Sequence, residues 1–330
     1  MQMGTIWKDM MIAAFMGFFL PSIVVNTGIL IHEAKHPEMM EEAPVALDYG
    51  DISVVLRSGE ILYEANLERY LVGVVCGEMP ASFEPEALKA QAVAARTYTA
   101  KAAVTGGKHG NGSLCTDSTC CQAYLSEIAF YARGGTPEDL EKIRTAVLET
   151  KGQVLTYGDE LIEATYFSCS GGYTEDAAEV WGTEYPYLVS VASPGEENAA
   201  WYRDTVQFTQ EELSAALELE LTGDPKDWVE SAIYTAAGSV ESITICGETF
   251  TGTNLRSLLG LRSAAFSVET TDGMIQITTR GYGHRVGLSQ YGADAMALEG
   301  CTYPEILAHY YPGTTLARMT IDEGGAIVYH

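Results

Sequence analysis

The residue best placed to do acid–base chemistry is Glu78. Leu67, Tyr70, Leu71, Val74 and Val75 recur at helical spacing, and position 78 continues their stripe. A carboxyl group on the buried face of a helix, at its C-terminal end, is discouraged from ionising by desolvation and by the helix dipole. Such a group keeps its proton near neutral pH and can serve as a general acid. The same spacing lets the chain leave the helix at Gly77 and turn Glu78 to water, the commoner fate of a charge at a helix end. Lys89 and Arg96, on the next helical stretch, lie about two turns apart and share a face. They could hold a polar substrate beside an acid, or each could form an ordinary surface ion pair.

Three further groupings have chemical potential. His109, Cys115 and Cys121 combine an imidazole with two thiolates in a Gly-rich loop, a donor set suited to Zn²⁺ with a fourth position open. Cys120 is also available, the spacing is not that of a zinc finger, and a disulfide from Cys115 is the alternative. Ser168 to Thr174 follows a strand. Its hydroxyls at Ser170 and Thr174 and its backbone N–H groups could grip sugar or anion oxygens, with Cys169 packed inward. Gly281 to Ala293 holds four glycines and the polar residues His284, Ser289 and Gln290. It lacks the lysine of a phosphate loop, which argues against nucleotide binding, and it can equally be read as a tight turn before a helix capped near Ser289.

The elements that must position these residues are legible. Ile52 to Leu56 and Ile61 to Tyr63 flank Ser58-Gly59 as a hairpin. Asn66 caps a helix that Pro80 ends, and a second, alanine-rich helix runs from Pro85 to about Val104. Thr136-Pro137-Glu138 opens a third helix. Strands are expected at Val154 to Tyr157, Leu161 to Ser168, Gly238 to Phe250 and Phe266 to Thr279, with a helix at Glu211 to Leu219. The mixture is segregated α+β rather than regular β-α-β alternation, with 195–275 as a candidate second lobe.

The 330 residues carry 19 basic and 45 acidic side chains, a formal net charge of −26. That balance repels nucleic acid and anionic lipid. Seven cysteines, an odd number and mostly far apart, exclude a small disulfide scaffold. Met10 to Ile31 has no charged residue and is long enough as a helix to cross the ~30 Å hydrocarbon core. We therefore expect an N-terminal transmembrane anchor over 1–32, a tether over 33–48, and an extracytoplasmic domain over 49–330, tied to the cell membrane. A long signal peptide is the competing reading of the apolar run.

Taken together, Leu67-x-x-Tyr-Leu-x-Gly-Val-Val-x-x-Glu-Met-Pro80, Glu86 to Tyr98, Ser170-Gly-Gly-x-Thr174 and Gly281-x-Gly-His-x-Val-Gly-x-Ser-Gln-Tyr-Gly292 resemble the stage II sporulation protein D family, also described as the amidase-enhancer domain family. Gly252-x-x-Leu-Arg256 and Leu261-Arg-Ser263 fit as well, and the resemblance spans about residues 49–320. It implies a peptidoglycan lytic transglycosylase that acts on peptide-stripped glycan strands during engulfment, with Glu78 as its catalytic glutamate. It implies zinc on His109, Cys115 and Cys121. It also implies a complex with an amidase/endopeptidase, stage II sporulation protein P, and a membrane scaffold, stage II sporulation protein M. Lys89, Arg96, Ser170, Thr174, His284, Ser289 and Gln290 are the expected substrate contacts. Arg285 stands where many relatives carry Gly, which puts the role of His284 in question. A non-catalytic glycan-binding activator of a wall amidase is the second reading, and a zinc amide hydrolase the third.

Overall fold

An alanine-rich helix lies at the centre of the described chain. The computed structural model describes residues 47–271, 273–323 and 327–330. The expected anchor, and the tether but for its last two residues, lie outside them. Among the described residues no helix is long and apolar enough to cross a membrane. The chain divides after Asp48, and Tyr49–His330 form one compact unit.

The expected hairpin forms from β1 (Ser53–Ser58) and β2 (Ile61–Asn66), paired from Ser53–Asn66 to Ser58–Ile61. Asn66 then caps α1 (Leu67–Glu78), its side chain accepting from the Arg69 N–H. The central helix α2 (Pro85–Thr105) begins at a proline and ends at Gly106 in the left-handed conformation. Ala87, Leu88, Ala90, Ala92, Val93, Ala94 and Ala95 are wholly buried, so the helix is enclosed on nearly every side. Small side chains are what allow this, because they let α1, α4 (Pro137–Glu149), α8 (Gln290–Leu298) and α9 (Tyr303–Tyr310) all approach it. A short α3 (Glu127–Ala132) precedes α4, whose first turn carries the capping box Thr136–Asp139, and a short α5 (Ala177–Trp181) comes later in the chain.

A four-stranded sheet closes this core in the order β14-β13-β3-β4, from β3 (Gln153–Tyr157), β4 (Glu160–Leu161), β13 (Thr315–Ile321) and β14 (Ile327–Tyr329). The stretch expected as one strand from Leu161 to Ser168 is broken. After β4 the chain leaves this sheet, and β5 (Tyr166–Phe167) pairs in parallel with β12 (Leu288–Ser289). The cause is Thr165, whose carbonyl accepts from the Leu288 N–H at 3.1 Å and the Tyr311 hydroxyl at 2.7 Å. This crossover brings the Gly-rich segment beside α1.

A second hydrophobic cluster gathers Leu213, Leu217, Trp228, Val240, Ile243, Leu255, Phe266, Ile275 and Ile277. It lies under the sheet β10-β11-β6, from β6 (Arg203–Phe208), β10 (Phe266–Thr271) and β11 (Met274–Arg280), and under the meander β7 (Val229–Tyr234), β8 (Val240–Ile245) and β9 (Glu248–Thr251). Helices α6 (Gln210–Leu217) and α7 (Gly252–Leu259) pack on it. Strand β7 escapes the sequence pattern because it leaves Ile233 and Tyr234 exposed and its pairing slips twice. The architecture is mixed α and β.

Candidate functional site

Glu78 is the last residue of α1 and half-buried. Its carboxylate turns inward: Oε1 accepts the Ala123 N–H at 2.7 Å, and Oε2 lies 3.4 Å from the Gln290 amide. The Tyr166 phenol is also a neighbour. Burial pushes its pKa above the ordinary carboxylate range, against the opposing pull of the Ala123 N–H, Gln290 and Tyr166.

Two glycines on α1 make this possible. A Cβ at Gly77 would sit 2.8 Å from Tyr124 N and 2.9 Å from Ala123 C, and one at Gly73 would strike the Tyr124 ring. Spaced one turn apart, they form a groove into which Ala123–Tyr124 presses, and the Leu125 N–H bonds to Gly73 O at 2.9 Å. The adjacent Gln122 is buried and fully engaged. Its amide reaches Tyr70 Oη and Thr99 Oγ1, and its Oε1 accepts the Tyr166 hydroxyl at 2.8 Å. Gln122, Ala123 and Tyr124 were not legible as site residues; the glycine pair at 73 and 77 was the available signal.

Gln290 opens α8, which Ser289 caps at the Gly292 N–H. Behind it lies Gln91 of α2, whose Oε1 is 3.4 Å from the Gln290 amide and whose own Nε2 is buried without a hydrogen-bond partner among the described residues. His284 is half-buried between the rings of Phe167 and Trp181, with centroids 5.5 and 5.4 Å away. Its Nδ1 accepts the Val286 N–H at 3.1 Å. Burial, with the Arg256 and Lys108 charges, pushes its pKa down to about 4. The ring is therefore neutral near pH 7 and orients its surroundings rather than exchanging protons there.

Other expected substrate contacts fall elsewhere. Arg96 has no exposed surface, and its guanidinium grips Glu68 at 2.6 Å as well as the carbonyls of Val147 and Gln153. Lys89 bridges Glu86 and Glu149, each at 2.7 Å. Lys89 lies two positions, about 200° around the helix, from Gln91, so the two cations face away from Glu78. They share a face, as their spacing predicts, but that face meets α4 and Glu68 in ion pairs, so their expected place beside the Glu78 carboxyl is corrected. Ser170 and Ser289 are also buried. Both hydroxyls donate to Glu196, which further accepts the N–H groups of Ser170 and Gly171 and the Ser193 hydroxyl. Thr174 is buried against the Val189 and Val191 carbonyls. These three cannot meet a substrate; they tie two Gly-containing turns together. Nothing in the sequence around Glu196 announces that role.

Arg285 holds a backbone conformation that favours glycine. Its φ of 66° is the left-handed region that glycine adopts freely. Its buried guanidinium offsets the strain through bonds to Glu175 Oε1, Ser239 Oγ and the carbonyls of Ser170, Tyr173 and Ala237.

Donor atoms of His109, Cys115, Cys120 and Cys121 all lie within 4.8 Å of one another. His109 Nε2 is 3.6 Å from Cys121 Sγ and 3.7 Å from Cys120 Sγ. The set fits Zn²⁺ by chemistry and number, and Cys120 adds a fourth donor to the three expected. Arg57 lies 3.2 Å from His109 Nδ1; since a guanidinium only donates, Nδ1 is the acceptor and Nε2 faces the sulfurs. Cys121 stands two residues before Ala123, so the cluster and the Glu78 donor belong to one short stretch of chain.

Fold and site together define a class: a unit of mixed α and β structure in which one half-buried carboxyl group is held by an amide N–H next to a His–Cys cluster. The family model described as SpoIID: Stage II sporulation protein matches residues 58–157. The stage II sporulation protein D of Bacillus subtilis (strain 168) is 39% identical over 294 residues, covering 86% of this chain and 82% of that protein. That of Bacillus amyloliquefaciens is 39% identical over 299 residues, 89% of this chain and 85% of the relative. The amidase enhancer of Bacillus subtilis (strain 168) is 33% identical over 303 residues, 74% of this chain and 40% of the relative. The chain belongs to the stage II sporulation protein D family.

Proposed function

We propose that the protein is a lytic transglycosylase of the sporulating cell wall, with Glu78 as its single acid–base group. The observation that carries this reading is the company Glu78 keeps. Among the described residues, an amide N–H and a carboxamide hydrogen-bond to it and a phenol stands beside them, none of them a second carboxylate. Glycoside hydrolysis ordinarily uses two carboxylates flanking the bond. One suffices when the substrate supplies its own nucleophile. Protonated Glu78 gives its proton to the glycosidic oxygen as the C1–O bond breaks. The resulting carboxylate then takes the proton of the C6 hydroxyl of the same muramoyl sugar. That oxygen closes on C1, leaving a 1,6-anhydro end and a regenerated acid, with no water consumed. The raised pKa suits the first step, and the Ala123 N–H steadies the carboxylate formed in it.

Zinc on His109, Cys115 and Cys121, with Cys120 in reach, would order the 115–123 loop and so fix the Ala123 donor; this is a supporting role in our reading. The N-terminal apolar run anchors the protein in the cell membrane, with the domain outside. A wall amidase of the stage II sporulation protein P kind and a scaffold of the stage II sporulation protein M kind are the partners the resemblance implies. The relative named amidase enhancer lends weight to a second reading, in which the domain binds glycan and stimulates such an amidase. Mass spectrometry of products from peptide-stripped strands separates the two. Anhydro ends made by the wild type alone, and lost in Glu78→Gln, support the enzyme. Strand binding without cleavage, together with faster turnover by an added amidase, supports the activator.

A further inference from the structure

Strands β6 and β11 set two like charges directly opposite each other. Arg203 is the register partner of Arg280, an arrangement that costs stability in an antiparallel ladder. The chain holds 45 acidic residues against 19 basic ones, yet neither guanidinium has a hydrogen-bond or ion-pair partner among the described residues. Both are exposed and line a cavity of about 620 Å³. Gly238 completes that wall: a Cβ there would lie 3.1 Å from Arg280 Nη2, so glycine leaves room for the guanidinium.

The floor of the cavity is the outer face of the sheet. Below the arginine row comes Thr205–Thr278–Ser267, and below that Gln276–Glu269, while Ile275 and Ile277 point the other way into the core. Tyr234 stands at the side, half exposed. Hydroxyls, the Gln276 amide and the Tyr234 ring beneath a cationic pair, with the Glu269 carboxylate two rows away from the arginines, suit a sugar that carries a carboxylate. Arg280 directly precedes the Gly281–Gly292 segment that holds His284 and Gln290, so one stretch of chain joins the cavity to the neighbourhood of Glu78.

We propose that this cavity is a subsite for a muramoyl unit, with its free lactyl carboxylate on Arg203 and Arg280 and its hydroxyl and acetamido groups on the threonine row. This rests on the reading of the protein as acting on glycan strands. An intact strand carries a neutral amide where the stem peptide joins. Removal of the peptide leaves a carboxylate in its place, so the arginine pair selects strands already stripped.

The test uses the full chain in detergent with Glu78→Gln, so that strands bind without being cut. Calorimetry compares stripped strands with the same strands whose carboxylates are capped as methylamides. Capping is expected to weaken binding about tenfold, the usual scale for losing a charge-assisted contact. Adding Arg203→Ser and Arg280→Ser should weaken binding of stripped strands by a similar factor and abolish the discrimination. The melting temperature should stay level or rise, because the like-charge pair has gone. Equal affinity for the two strands in the parent, an equal loss for both strands in the arginine variant, or no strand binding at all overturns the proposal. Product analysis with Glu78 intact separates it from the proposed function. Anhydro ends without charge-selective binding sink the subsite alone. Charge-selective binding without anhydro ends sinks the transglycosylase alone.

Discussion

At the scale of single residues, Glu78 is a carboxyl group whose pKa burial raises. The folded pKa of Glu78 lies above its unfolded value of about 4.3. Its contribution to stability is therefore fully present below about pH 4 and is lost as pH rises through the raised folded value. Glu78→Gln keeps the shape and cannot ionise. Its melting temperature should match the wild type near pH 4 and exceed it increasingly toward pH 8, while anhydro-end formation disappears. A wild-type advantage at pH 8 would mean that Glu78 is stabilised as an anion. His284, held near 4, should leave no inflection in the activity profile between pH 5 and 8. For the metal, the prediction concerns Arg57 and Cys120. An imidazole bound through Nε2 carries its proton on Nδ1, where Arg57 now donates. Arg57→Gln replaces that donor with a group able to accept, and should tighten zinc binding in a chelator competition. X-ray absorption of the zinc form should count three sulfurs in the wild type and two in Cys120→Ser.

At the scale of elements, α1 and α2 do the positioning. Gly77→Ala sets a methyl against the Ala123–Tyr124 backbone and should move the Ala123 N–H off Glu78. We expect turnover to fall about tenfold or more, with the far-ultraviolet dichroism unchanged; wild-type turnover would show that the donor is dispensable. Arg96→Met leaves Glu68 buried and unpaired between α1, α2 and α4, and should cost about 3–5 kcal/mol in urea unfolding. Much of this was legible in the sequence. Helix periodicity marked α1, with Asn66 as its cap, and composition marked α2 from Pro85, while the stripe placed Glu78 at its end. The same periodicity misled at Lys89 and Arg96, because a shared face says nothing about which neighbour that face meets. The hydroxyls of Ser170 and Ser289 misled for a related reason. They converge on Glu196, far away in sequence, and only the folded chain brings those partners together. Strand β5 was misjudged because its parallel partner lies more than a hundred residues further on.

At the scale of the whole molecule, a net charge of −26 suits a protein that works away from nucleic acid and anionic surfaces. The apolar run at Met10 to Ile31 is our proposed membrane anchor, and that proposal has a direct test. The full chain should remain in the membrane pellet through high-salt and carbonate washes, whereas release by either wash would contradict an anchored protein. Beside the central helix the fold sets one acid and one loop that steadies it, while the second hydrophobic cluster carries a sheet face with an unpaired arginine couple. The central claim is that this acid cuts glycan strands without water. The most direct test is digestion of peptide-stripped strands in H₂¹⁸O with the full chain, read by mass spectrometry. The account predicts that every newly made muramoyl end is the 1,6-anhydro form and carries no ¹⁸O. New reducing ends bearing one ¹⁸O each would mean hydrolysis and would contradict the single-carboxylate mechanism.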